Sequence, residues 1–338
     1  MTELERVNGS AGQKTRIVNG CVYALFVNKL ITRNTKVIFA DPEQTSPNMR
    51  AQLLSQSFHM SGYWLRATLA IACQRYTDQQ FTLLFRLRAC LPFQTSHPEV
   101  TADDLMSSND YGHNATIASH NVLRDILASY LQKARFTVLV ERASNLGLGI
   151  IPDFYCPRYA RYTSPRAIPD IPRPTIFDVT ISHPSCQAYV TRGSARQQGS
   201  AAADAARAKL TSYIPALAQA RRQDLTIVPL AFESYGFVSS AIRSLLSTVS
   251  RRIAVQTGLR SGRTFHDICT RIICLKQKML AMQLQEKFQD FLSARHPDVI
   301  AADTRVPDIY ITPENTVVDP VIIDDLRFET EAQLVLRH

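Results

Sequence analysis

A chain of 338 residues, 45% hydrophobic and 20% charged, holds enough apolar side chain for one large core or two ordinary ones, which excludes a wholly disordered protein. The formal charge of +9 is uneven, because residues 298–338 hold nine acidic residues against three Lys/Arg and the first 297 residues therefore carry +15. Seven scattered cysteines with no CxxC argue against a disulfide framework, and no apolar run approaches the roughly 20 residues of a membrane span.

The first residues, MTELERVNGSAGQKTR, lack the apolar centre of a signal peptide. An intracellular location with no membrane partner is therefore expected. The basic body predicts a polyanionic partner, above all nucleic acid, and with it a nuclear location.

In chain order, residues 1–16 are polar, and 17–40 hold the apolar runs CVYALFV and KVIFA, which read as core elements. After a loop at 41–48, a helical pattern runs from Met49 to Leu91. It contains the lone Trp64, and DQQFTLLFRLRAC (78–90) reads as a second helix. Residues 93–118 form a polar loop with His97, Asp110 and His113, long for a connection inside a domain. Ser119 then reads as the N-cap of a helix whose Val122, Leu123, Ile126, Leu127, Tyr130 and Leu131 share a face. On that helix His120 pairs by turn with Arg124, and Asn121 with Asp125.

A strand at 136–140 ends in Glu141. Two further strands each carry one carboxylate, Asp153 in IIPDFYC and Asp178 in IFDVTI. Between them Pro157, Pro165, Pro169, Pro172 and Pro174 break regular structure. Next come an Ala-rich helix at 196–220, with Lys209 one turn before Tyr213 and Pro215 breaking or kinking it, and a strand at 225–232 ending at Glu233. A basic amphipathic helix (237–255) carries Arg243, Arg251 and Arg252. A long helix (264–294) has a Cys/Met/Leu stripe that reads as a packing face, and the acidic tail holds one strand candidate, PDIYI.

From Ser119 the order is helix, strand, strand, strand, helix, strand, helix, which predicts a mixed α/β (α+β) core over 119–257. Around it stand an N-terminal segment of unassigned role (1–48), a helical linker (49–118), the long helix (258–297) and the acidic tail (298–338). A hairpin-like pairing of the two middle strands would bring Asp153 and Asp178 together, and two converging carboxylates suit a hard divalent cation. Pro-Asp is also a common turn dipeptide, present here at Asp153, Asp170, Asp298 and Asp308. Asp170 is set aside as the partner of Asp178 because the prolines around it deny a ladder.

Six segments in order resemble one family: SHNVLRD (119–125), VER (140–142), IPDFY (151–155), FDVTISHP (177–184), AARAKLTSY (205–213) and VPLAFESYG (228–236), with YWLRA and FRLRACLP upstream. The arrangement resembles the PD-(D/E)xK restriction-endonuclease-like core. More closely it is similar to the restriction-like endonuclease domain that follows the reverse transcriptase in non-LTR retrotransposon polyproteins. The resemblance implies a metal-dependent DNA endonuclease that nicks its target, working on DNA or an RNA/DNA hybrid as part of a larger polyprotein or oligomer.

It implies that Asp153, Asp178 and Glu141 hold Mg²⁺ or Mn²⁺, and that Lys209 supplies the motif's lysine, whose own position is Thr180; the plain alternatives are a surface cation for Lys209 and a strand-end surface acid for Glu141. His120, Arg124, Arg196, Tyr213 and Arg243 are the expected nucleic-acid contacts, while His120 and Arg124 equally suit a bracing role in their helix. Glu233, at a strand end, suits a structural hydrogen bond better than a metal. The family's zinc knuckle is reduced here to His113, with Cys90 and His97 upstream, so four ligands at normal spacing do not assemble and zinc is not expected. Thr180 and the eroded loop equally fit a catalytically inactive nuclease fold that only binds nucleic acid. A scaffold built on the long helix is a third reading.

Overall fold

The computed structural model describes residues 45–66, 76–88, 105, 113–141, 146–161 and 171–295. The expectations for residues 1–44, Cys90, His97, Asp110, Arg142, Asp170 and the acidic tail lie outside these residues, as does the side chain of His113. Among the described residues there are four strands and seven α-helices.

Strands β1 (Leu139–Val140), β2 (Phe154–Tyr159), β3 (Arg173–Ser182) and β4 (Thr226–Glu233) form one mixed sheet in that order. β1–β2 and β2–β3 are antiparallel, and β3–β4 is parallel. A parallel pair needs a long crossover. Here the crossover contains helix α5 (Ser200–Gln219), introduced after the short α4 (Gln187–Thr191).

β3 is covered on both faces from Thr175 to Val179, the stretch that holds Ile176, Phe177 and Val179. Pro174, expected to deny a ladder, lies inside β3, where the β2–β3 register shifts between Cys156 and Tyr159. Such an irregularity, or an edge strand such as β4 with its Pro229, is where a sheet tolerates a missing N–H.

The remaining helices are α1 (Pro47–Gln56), α2 (Asp78–Arg88), α3 (His113–Lys133), α6 (Ser240–Thr257) and α7 (Ser261–Arg295). α1 starts from a Ser46 cap that accepts Met49 N–H at 3.2 Å, with Pro47 at its first position. Two expectations are corrected. α3 begins at His113, so Ser119 is a buried interior residue and not a cap; burial overrides the weak helix propensity of Ser. The strand expected over 136–140 has only two residues, because Phe136 turns into the core and donates its N–H to Leu131 O at 3.0 Å, closing α3. α5 runs through Pro215 to Gln219 without ending there.

The N-terminal helices, the sheet and the C-terminal helices share one core. Trp64, Leu84, Leu127, Phe154, Phe177, Leu246, Ile272 and Phe288 belong to a single apolar cluster. On the opposite face of the sheet, Leu148, Ile176, Tyr213 and Leu225 form a smaller cluster beneath α5. Alternation along β3 sends Phe177 and Val179 to the large core, and Ile176 and Asp178 to α5. The described cysteines, Cys156, Cys186, Cys269 and Cys274, are free thiols. No described helix is long and apolar enough to cross a membrane.

Candidate active site

The pairing Phe154↔Phe177 in the antiparallel β2–β3 ladder places Asp153 next to Asp178 one step further on. Asp178 is 3% exposed and reaches α5. Its Oδ2 accepts the Tyr213 hydroxyl at 2.5 Å, and its Oδ1 stands 2.8 Å from Lys209 Nζ. Lys209 and Tyr213 are one helical turn apart, so a single face of α5 supplies both. The Lys209 ammonium sets its charge against this buried oxygen as a close ion pair. Burial first, and then the bond to Asp178, push the Tyr213 hydroxyl well above its ordinary range and keep it a donor.

Asp153 is held from the other side. Its Oδ2 accepts Val179 N–H at 2.5 Å and meets His120 Nε2 of α3 at 3.1 Å. His120 Nε2 also lies 3.1 Å from Val179 O. Both neighbours are acceptors, so Nε2 carries a proton. The hydrogen bond to Asp153 is the leading reason that the His120 pKa is raised. Nδ1 lies 3.3 Å from Asn121 Oδ1. A pair of buried carboxylates is costly to desolvate unless cations and donors surround it, and Lys209, His120, Tyr213 and the Val179 amide supply them.

Glu141 is placed differently from its expected role as third ligand. Its N–H bonds to Asp153 O at 3.1 Å, which ties β1 to the site. Its backbone is left-handed, with φ 47, and its carboxylate, 57% exposed, pairs with Arg124. Among the described residues no three His, Cys, Asp or Glu side chains gather closely enough to hold a metal ion by themselves. The two aspartates nonetheless fit one. Both are acceptor-only groups, they stand side by side across the β2–β3 pairing, and a Mg²⁺-type cation uses one or two carboxylates and fills its shell with water and phosphate oxygens.

The expected nucleic-acid contacts divide. Tyr213 is 1% exposed and committed to Asp178, so it is a positioning group and not a surface contact. His120 faces Asp153 and not Arg124. Arg124 is buried and braces Asp125 at 2.8 Å and Glu141. Arg243 is partly buried, with its guanidinium 5.5 Å above the Phe58 ring. Arg196 is exposed in the turn before α5. Helical spacing tells which side chains share a face, but not whether that face meets solvent or a sheet.

Glu233 accepts the Ala202 N–H at 3.2 Å and so caps α5 from β4. Burial raises its pKa. The Val179 amide, which carries no sequence signal, is the group that sequence reasoning missed. Compared with protein-family models and with curated protein sequences, the chain matches none.

Proposed function

We propose that the chain is a divalent-metal-dependent endonuclease that hydrolyses phosphodiester bonds in DNA, of the restriction-endonuclease-like kind and of retrotransposon origin. One observation carries this reading: the buried Asp178 of β3 sits next to Asp153, at the start of β2, with the Lys209 ammonium 2.8 Å away.

Asp153 and Asp178 would hold Mg²⁺ or Mn²⁺, which when bound lowers the pKa of a water and neutralises phosphate charge. The protein's own groups do the rest. Tyr213 fixes the rotamer of Asp178 through its hydroxyl, and His120 with the Val179 amide fixes Asp153. Lys209, whose side chain is 38% exposed, supplies a cation that reaches both the carboxylate and solvent, where it meets a phosphate oxygen and orients the attacking water. The +15 charge of the first 297 residues favours a polyanionic substrate.

A second reading rests on the same geometry. Donors and cations already offset both carboxylates, an arrangement that also suits a nuclease fold retained for binding alone.

Supercoiled-plasmid cleavage with Mg²⁺ or Mn²⁺, against EDTA, separates the two. Metal-dependent nicking is expected, with Asp153→Ala and Asp178→Ala each at least about a hundredfold slower, a loss of the size seen when one transition-state interaction is removed. A wild type that shifts plasmid on a gel at low salt but never cuts it would make the binding reading correct.

A further inference from the structure

We infer that His59 and Arg243, set against the Phe58 ring, form a second phosphate site that holds the nucleic-acid backbone away from the carboxylate pair. The inference rests on nucleic acid as the partner proposed above, but not on cleavage.

The site has a fixed floor. Phe58, just past α1, is buried and packs against Phe237 at 4.9 Å. Phe237 fills the space beside Gly199, and its N–H donates to Ser55 Oγ at 3.4 Å. Gln198, in the turn before α5, donates to Leu54 O at 2.8 Å and to Ser57 Oγ at 2.9 Å. The end of α1, the start of α5 and the segment before α6 therefore meet here, and each holds the others in place.

Two basic groups stand on this floor. The guanidinium of Arg243 in α6 lies 5.5 Å from the centre of the Phe58 ring, and the His59 ring lies 4.4 Å from the same ring. His59 is exposed at the surface. Partial burial of its ring, and then the Arg243 cation, lower its pKa, so the two groups are close enough to repel. Arg243 is also placed against its helix: it lies in the first turn of α6, at the positive end of the dipole, and that turn holds no acid. Among the described residues no carboxylate forms an ion pair with Arg243 or His59. A cation held against a dipole, beside a second basic ring and without a counter-ion, fits an anion brought by a ligand. An arginine fork with an imidazole N–H matches the oxygens of a phosphodiester.

Gly199, against this floor, precedes Lys209 of the carboxylate site by ten positions of α5, about 15 Å at 1.5 Å per residue. That is roughly four base pairs of duplex at about 3.4 Å each, so one duplex reaches both places.

The test is duplex binding by fluorescence anisotropy in EDTA, over a salt series, with DNA of about 24 base pairs. In Arg243→Gln the plot of log K against log salt is expected to flatten by about 0.9, the share of one phosphate. Arg243→Lys keeps the charge but not the planar fork, so its slope is expected to match wild type while affinity falls about threefold to tenfold, the share of one hydrogen bond. Arg158→Gln removes an exposed arginine at the opposite end of the sheet and is expected to leave the slope unchanged.

An unchanged slope in Arg243→Gln, or an equal flattening in Arg158→Gln, overturns the inference. So does an Arg243→Lys slope as flat as that of Arg243→Gln, which would make the loss one of structure and not of charge. An Arg243→Gln protein that keeps the DNA slope but no longer binds phosphatidylserine vesicles also overturns it, and assigns the pair to lipid phosphate. Should Arg243→Gln fail to fold, His59→Glu, at an exposed position, sets a carboxylate beside the expected phosphate. Affinity is then expected to fall at least about tenfold through like-charge repulsion, and further than in Arg158→Glu; a loss no greater than in Arg158→Glu overturns the proposal. A wild type that never nicks with Mg²⁺, combined with the flattened slope of Arg243→Gln, removes the nuclease reading and leaves this site standing.

Discussion

At the scale of single residues, His120 governs a pH-dependent part of the stability. Its ring bridges Asp153 Oδ2 and Val179 O, and its pKa in the folded chain is raised, first by the hydrogen bond to Asp153. A base whose folded pKa exceeds the unfolded value of about 6.5 stabilises the fold fully below that value, and the gain is lost as pH rises through the folded pKa. In urea unfolding, His120→Gln is therefore expected to be about 1 kcal/mol less stable than wild type near pH 5.5, with the gap narrowing towards pH 9. A gap that stays constant or widens with pH would show that charge is not the cause. From the sequence, His120 and Arg124 were legible as a pair sharing one helical face. Which acid each one meets was not legible, because the answer lies just before β2 for His120 and just beyond β1 for Arg124, segments that only the tertiary fold brings to α3.

At the scale of elements, α5 decides the site, since it carries both groups that hold Asp178. Its start is fixed by two devices: the Glu233 carboxylate on the Ala202 N–H, and Gly199 at φ 78, where an added Cβ would overlap the ring of Phe237. That ring cannot easily retreat, as it packs against Phe58 at 4.9 Å. Gly199→Ala is expected to cost about 1–3 kcal/mol for the backbone alone and more for the overlap. In a Phe237→Leu background only the backbone part should remain. A double-mutant cycle in urea reads the difference as a coupling energy, and equal penalties in both backgrounds would show that the ring is not what excludes a side chain. The strands with Asp153 and Asp178 were legible because buried strands leave apolar runs. The start of α3 and the shortness of β1 were not, because Ser119 looks like a cap and Phe136 like a strand residue until tertiary burial assigns them otherwise.

At the scale of the whole molecule, α7 packs on α3 and α6 and reaches the end of β4 through Lys276. The apolar stripe of α7 was legible as a packing face and does lie in the shared core. Its cations were not legible: Lys276 and Lys287 are each 4% exposed. Lys276 Nζ donates to Ser234 O at 2.6 Å, beside the Glu233 that caps α5. Burial draws its pKa down to about 7, against the opposing pull of Glu233. A base with a lowered folded pKa binds fewer protons folded than unfolded between that value and about 10.4, so it makes stability rise with pH across this window. Between about pH 7.5 and 9.5, above the ordinary carboxylate range, wild type is expected to gain on the order of 1–2 kcal/mol relative to Lys276→Met. The urea midpoints of the two proteins at the ends of that window decide the matter. Parallel profiles would mean that Lys276 keeps its charge in the folded chain, with the nearby Glu233 offsetting the cost of burying it.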